Sequence, residues 1–178
     1  LKTYFRDTRT GQNIKACDGI SLDINEGEIV GLVGESGCGK STLGRTLVGL
    51  EDASGGEIRY GGENLLTMHG RKLHTTRRKI QYVFQDPLSS LSGRMTIGQA
   101  IEEALIINGE RNAAARRARV VELLEAVSLP DQIAERYPRE MSGGQRQRAC
   151  IARSLAADPK VLICDEPVSS LDVSIRAQ

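Results

Sequence analysis

Residues 34–42 read GESGCGKST, a match to the pattern G-x-x-x-x-G-K-[ST] with Gly34, Gly39, Lys40 and Ser41 in the fixed places. This pattern is the tightest constraint in the chain, because it works only between a strand and a helix. Both flanks comply. Residues 28–33 (EIVGLV) are a short, β-branched, apolar run that predicts a buried strand. Residues 42–50 put Leu43, Leu47 and Leu50 on one helical face. Without a Cβ, glycine lets the backbone N–H groups from Gly34 through Glu35, Ser36, Gly37 and Cys38 to Gly39 curl around a phosphate chain. The helix that begins near Thr42 adds unpaired N–H groups and a positive dipole end. Lys40 is placed to reach the β- and γ-phosphates, and Ser41 to offer its hydroxyl to Mg²⁺. Alone, the motif predicts only that a nucleoside triphosphate binds.

The chain has 178 residues, enough for a domain with a real core. Apolar content of 39% and charged content of 26% describe an ordinary globular protein. A net charge of +1 gives no global pull toward nucleic acid. No apolar run is long enough to cross a bilayer, so any membrane role is expected to come through a partner. The four cysteines, Cys17, Cys38, Cys150 and Cys164, lack metal-ligand spacing, and the only histidines are His69 and His74. No zinc site is expected. The scattered thiols fit a reducing compartment, where cysteine serves as a small apolar residue. The chain starts at Leu1 rather than Met and stops at Gln178 within a helical pattern, so a C-terminally truncated fragment is expected.

Before the phosphate loop, residues 1–5 and the period-two run Ile20, Leu22, Ile24 predict antiparallel sheet. Residues 80–84 (IQYVF) predict another strand, ending at Gln85 and broken by Asp86-Pro87. Basic residues 71–79, without interleaved aromatics, predict a solvated helix face. Ile97, Ala100, Ile101, Ala104 and Leu105 share one helical stripe, and Val120, Leu123, Leu124 and Val127 another. Residues 161–164 (VLIC) predict a fully buried strand closed by Asp165 and Glu166. Strands and helices alternate, with a helical block inserted.

Two carboxylates at the C-terminal end of a buried strand lie where open α/β sheets bind ligands. Asp165 would hold Mg²⁺, and Glu166 would take a proton from an attacking water. Ser142-Gly143-Gly144-Gln145 opens a helix with a good N-cap and exposed N–H groups, a second anion site. Two such helix ends in one chain mean either two ligands or one ligand shared between two copies.

Together these segments resemble the nucleotide-binding domain of ABC transporters. GESGCGKST matches the phosphate loop. Met141 to Arg146 (MSGGQR) matches the signature, with Met141 where the family usually has Leu. VLICDE matches the acidic strand, Gln85 the Q-loop glutamine, and Ser170-Leu171-Asp172 the D-loop. The resemblance implies an α/β fold: a P-loop NTPase (RecA-like) core with an N-terminal antiparallel β part and an inserted helical subdomain. The expected divisions are 1–91 (ATP-binding core with the β part), 92–155 (helical signature subdomain) and 156–178 (return to the core). It also implies a head-to-tail dimer with ATP between residues 34–42 of one copy and 142–145 of the other. Gln85 would contact Mg²⁺ and the attacking water. Lys40, Gln85 and Glu166 are the expected catalytic residues, and Ser41, Gln85 and Asp165 the expected metal ligands. An aromatic stacks on adenine in this family, and Phe5 is expected there, with Tyr4 as the alternate.

A narrower resemblance rests on residues 82–91 (YVFQDPLSSL), 94–99 (RMTIGQ) and 166–174 (EPVSSLDVS). It is similar to the ATPase subunits of bacterial dipeptide, oligopeptide, nickel and glutathione importers, although those commonly carry Asn-Pro where this chain has Ser92-Gly93. The implied role is an ATP-hydrolysing subunit powering an importer, with peptides as the expected cargo. It would sit at the cytoplasmic face of the membrane against permease subunits. A soluble ABC-type ATPase acting on nucleic acid or ribosomes, and a non-hydrolysing regulatory domain, are the alternatives. The family's γ-phosphate histidine has no counterpart after His74, so weak ATP binding and poor turnover are expected of the chain as given.

Overall fold

A computed structural model describes residues 1–87 and 90–166. They form two compact units, Leu1–Arg77 and Arg78–Gln178. No helix among the described residues is long and apolar enough to cross a membrane.

In the first unit, β1 (Lys2–Arg6) and β2 (Asn13–Asp18) pair antiparallel, with Thr3 opposite Cys17 and Phe5 opposite Ile14. The inward residues Thr3 and Cys17 are buried. Helix α1 (Lys40–Val48) docks on this ribbon through Leu43 and Thr46, both buried. Thr3 Oγ1 and Thr46 Oγ1 lie 3.1 Å apart. Gly49 ends the helix in a left-handed conformation, its N–H reaching the carbonyls of Arg45 and Thr46. That stop overturns one expectation. Leu50 falls beyond the helix and is 55% exposed, so it does not share the face of Leu43. The short strands β3 (Arg59–Tyr60) and β4 (Glu63–Asn64) close through Gly61 and Gly62, both at positive φ as a two-residue hairpin requires. Helix α2 (Gly70–Arg78) buries no residue, in keeping with the expected solvated basic face.

Residues 28–33 differ from expectation. They pair with no strand among the described residues, and Ile29 and Val33 are 98% and 94% exposed. The period-two run at residues 20–24 forms no strand either: Ile20 exchanges backbone hydrogen bonds with Leu1, at 2.7 and 3.1 Å, but Leu22 and Ile24 beyond it are about half exposed. β-branched side chains favour extended backbone, but a strand exists only where a neighbour completes its ladder.

In the second unit, β5 (Ile80–Val83) and β6 (Val161–Cys164) pair in parallel, Ile80 opposite Val161 and Val83 opposite Cys164. The crossover between them holds α3 (Ile97–Ile107), α4 (Ala113–Ala126) and α5 (Gly143–Leu155). Both expected stripes face one core: Ile97, Ile101 and Leu105 from α3 meet Val120, Leu123 and Leu124 from α4, with Ala149 and Ala152 from α5. Val83 belongs to that core and Leu162 packs on it, so the expected divisions at 91/92 and 155/156 both lie within this unit. The helix starts are capped by Thr96 with Gln99, and by Asn112. Strand β6 is half-buried to exposed rather than fully buried, and among the described residues β5 alone pairs with it, along one edge.

Candidate functional site

The candidate residues lie in both units. In the first, α1 begins at Lys40 behind Gly39, whose φ is 99°. No side chain caps this end, as suits a helix start that binds an anion. Gly39 is required twice over. Its φ is left-handed, and a Cβ there would stand 2.1 Å from the carbonyl oxygen of Ala16. Lys40 Nζ donates to the carbonyls of Gly34 and Glu35, both at 2.7 Å, and approaches Cys38 Sγ at 3.8 Å. The loop thus wraps an ammonium. Glu35, Ser36, Gly37 and Cys38 are exposed around it, while Ser41 and Thr42 are half-buried at the first turn. A cation ringed by curled backbone at an uncapped helix start is equipped to take a phosphate chain.

The two aromatics expected near adenine differ. The Tyr4 hydroxyl donates to Asp18 Oδ1, and Lys15 Nζ lies 5.7 Å from its ring centre. That hydrogen bond holds the Tyr4 hydroxyl above its ordinary pKa. Phe5 is 38% exposed on the adjoining position of β1.

In the second unit, the acidic residues leave the end of β6 beside the end of β5. Asp165 N–H donates to the Val83 carbonyl at 3.0 Å. The Tyr82 hydroxyl donates to Asp165 Oδ2 at 2.7 Å. Gln85 Nε2 donates to Glu166 Oε2 at 2.6 Å. Asp165 is half-buried and Glu166 exposed. Gln85, Asp165 and Glu166, each singled out from sequence, are therefore brought together. Tyr82 was missed. Its only signal is a polar tip in an otherwise apolar strand.

At α5, Ser142 Oγ accepts from Gln145 N–H at 3.2 Å, and Gln145 Oε1 accepts from Ser142 N–H at 3.0 Å. This capping box satisfies two end donors and leaves Gly143 and Gly144 to present backbone. Arg146 closes the signature match. Its Nη1 donates to the Met141 carbonyl at 3.0 Å and braces the chain before the cap. Ser170, Leu171 and Asp172 of the expected D-loop, and Leu88 and Ser89 of the importer-like segment, lie outside the described residues.

The family described as ABC transporter matches residues 17–169. The oligopeptide transport ATP-binding protein OppF of Bacillus subtilis is 51% identical, the match covering 100% of this chain and 58% of that protein. The dipeptide transport ATP-binding protein DppF of Haemophilus influenzae is 50% identical, covering 94% of this chain and 51% of that one. The chain therefore spans little more than half the length of these relatives. Among solved structures, the dimeric bacterial ABC transporter cassette MJ0796 superposes with a TM-score of 0.89 at 31% identity, covering 99% of this chain and 76% of that one. With a family match over residues 17–169 and relatives at about half identity, the chain belongs to the ABC transporter family.

Proposed function

We propose that this chain is the ATP-binding and ATP-hydrolysing part of a subunit that powers an ABC importer, with peptides as its cargo. The observation that carries the reading is the phosphate loop, in which the Lys40 ammonium is held by the Gly34 and Glu35 carbonyls at the bare start of α1. An arriving triphosphate supplies the acceptors that Lys40 now takes from the loop. The peptide-transport names of relatives at about half identity support the cargo class.

Mg²⁺ fits the residues present. Ser41 offers a hydroxyl, Asp165 a carboxylate and Gln85 an amide oxygen, each the kind of donor a hard cation takes. Mg²⁺ held there would neutralise charge on the phosphates.

Glu166 acts as general base, accepting a proton from the attacking water. Gln85 holds that carboxylate in place. Asp165, whose carboxylate accepts from the Tyr82 hydroxyl, would hold the metal. Ser142 to Gln145 form the second anion site, contributed to the nucleotide of another copy, and the dimeric cassette supports that arrangement. Phe5 is the adenine-stacking ring. Functionally, residues 92–155 act as the signature block, and residues 1–91 with 156–178 as the core. The assembly lies at the cytoplasmic face of the membrane, docked on permease subunits.

The test is the Mg-ATPase rate of the intact protein against its concentration, alone and with its permease in liposomes. A rate rising faster than linearly, and stimulated by peptide when reconstituted, is the expected result. Linear, peptide-insensitive turnover, or stimulation by nucleic acid instead, would overturn it.

A further inference from the structure

Two thiols bracket the phosphate loop. Cys17, on β2, is 2% exposed, and its Sγ donates to the Gly39 carbonyl at 3.7 Å. Cys38 is exposed and directly precedes Gly39. Neighbouring Cα atoms are about 3.8 Å apart, so Cys38 lies one residue from the backbone that Cys17 touches. The loop is pressed onto β2 here, a Cβ on Gly39 lying 3.6 Å from Cys17 Sγ. The Cys38 sulfur now points the other way, into the loop. A Cβ on Gly34 would meet it at 2.7 Å, and Lys40 Nζ lies 3.8 Å away. Burial pushes the Cys17 thiol up, and the nearby Cys38 sulfur adds to the rise. Cys17 is thus the protected thiol and Cys38 the accessible one.

We propose that Cys17 and Cys38 are a redox pair, joined by a peroxide into a disulfide that pulls the phosphate loop out of its phosphate-binding shape. The Cys38 thiolate attacks a peroxide oxygen, giving Cys38 sulfenic acid and releasing hydroxide, which takes up a proton. The Cys17 sulfur attacks the sulfenic sulfur. An S–S bond forms, and the sulfenic oxygen leaves as water with the Cys17 proton. Two thiols lose two electrons and two protons, and one hydrogen peroxide becomes two waters. A disulfide needs the two Cα atoms within about 7 Å and the Cβ vectors facing each other, so Cys38 must swing toward β2. Gly37 and Gly39, at φ 79° and 99°, flank it and supply the backbone freedom. Swung outward, residue 38 takes the curled N–H groups and the Lys40 contacts with it, and the loop no longer fits a phosphate.

The effect on nucleotide rests on the proposed ATP site, whereas the bond does not. Reduced intact protein is treated with hydrogen peroxide, remaining thiols are alkylated, and peptides are mapped by mass spectrometry without reduction. Binding of a fluorescent ATP analogue is measured in parallel. The expected result is an intramolecular Cys17–Cys38 peptide, at least tenfold weaker binding that dithiothreitol restores, and slower oxidation with ATP bound. Cys17→Val fills a similar volume, binds normally when reduced, and after peroxide yields only a dimedone-trappable Cys38 sulfenic acid. Absence of the Cys17–Cys38 peptide overturns the proposal, as does a bond that forms without weakening binding. Reduced protein that binds no analogue sinks the ATP site instead, and the peptide map still judges the pair.

Discussion

Gln85 Nε2 donates to Glu166 Oε2 at 2.6 Å, across 81 positions of sequence. The parallel register makes this contact. Val83 lies opposite Cys164, so the residues two further along each strand emerge side by side. Glu166 holds that place at a φ of 48°, a left-handed conformation that costs a non-glycine residue about 1–2 kcal/mol. Removing the carboxylate while keeping the shape isolates its role. In Glu166→Gln the chemical step is expected to fall by about 10²–10⁴-fold with nucleotide affinity retained. Single-turnover hydrolysis beside equilibrium binding checks it. An unchanged rate would remove Glu166 as the base.

Gly37 and Gly39 separate two reasons for glycine within one loop. Both have positive φ, but a Cβ on Gly37 meets nothing within 4 Å, whereas one on Gly39 meets the Ala16 carbonyl oxygen at 2.1 Å. Gly37→Ala carries only the conformational cost of about 1–2 kcal/mol. Gly39→Ala adds a backbone clash that β2 or the loop must yield to. Thermal melts are expected to show a fall of about 2–8 °C for Gly37→Ala and at least twice that for Gly39→Ala. Equal losses would mean that α1 shifts freely away from β2.

What sequence could tell depended on whether the cause was local. Gly39 and Lys40 were legible as fixed places of a local motif, although the helix starts at Lys40 rather than near Thr42. The stripes through Ile97, Ile101 and Leu124 were legible because burial of a helix face repeats along the chain. Residues 28–33 were not, because apolar character predicts extension and says nothing of whether a partner strand completes the ladder. Leu50 misled in another way: helical spacing continued past Gly49, and a glycine in left-handed conformation ended the helix first. Gln85 and Glu166 were legible as types in a motif, but their contact comes from a register between distant strands. The Tyr82–Asp165 bond has the same origin and left no mark in the sequence.

Ser142 and Gln145 act on each other, and their losses should not add. Each provides one arm of the capping box at the start of α5. Ser142→Ala is expected to cost about 1 kcal/mol in urea denaturation. The double variant Ser142→Ala with Gln145→Ala is expected to cost less than the sum of the singles, since either change opens the box. Strict additivity would show that the two hydrogen bonds form independently.

The Cys150 thiol is pushed up to about 12 by burial, with Arg153 opposing the shift. It donates to the Pro87 carbonyl at 3.5 Å. At pH 8 only about one molecule in 10⁴ then carries the thiolate, the form that reacts. Iodoacetamide at that pH is expected to label exposed Cys38 within minutes and to leave Cys150 unlabelled until denaturant is added. Alkylation of native Cys150 at the Cys38 rate would mean that the core under α5 opens readily.

Thr3 and Thr46, each 1% exposed, tie β1 to the helix that carries the phosphate loop. Thr46 Oγ1 donates to the Thr42 carbonyl at 2.8 Å. A hydroxyl has one proton, so Thr46 must accept in the 3.1 Å contact with Thr3, and Thr3 is the donor. The direction makes the two substitutions unequal. Thr46→Val removes the acceptor and leaves a buried Thr3 hydroxyl unsatisfied, a loss of about 1–3 kcal/mol. Thr3→Val leaves Thr46 still bonded to Thr42 and should cost less. With both replaced no buried hydroxyl remains, so the double variant is expected to be more stable than Thr46→Val alone. A double-mutant cycle by chemical denaturation reads all three values. If Thr3→Val proves the costlier single change, the hydrogen bond runs the other way and the Thr46–Thr42 contact does not hold its proton.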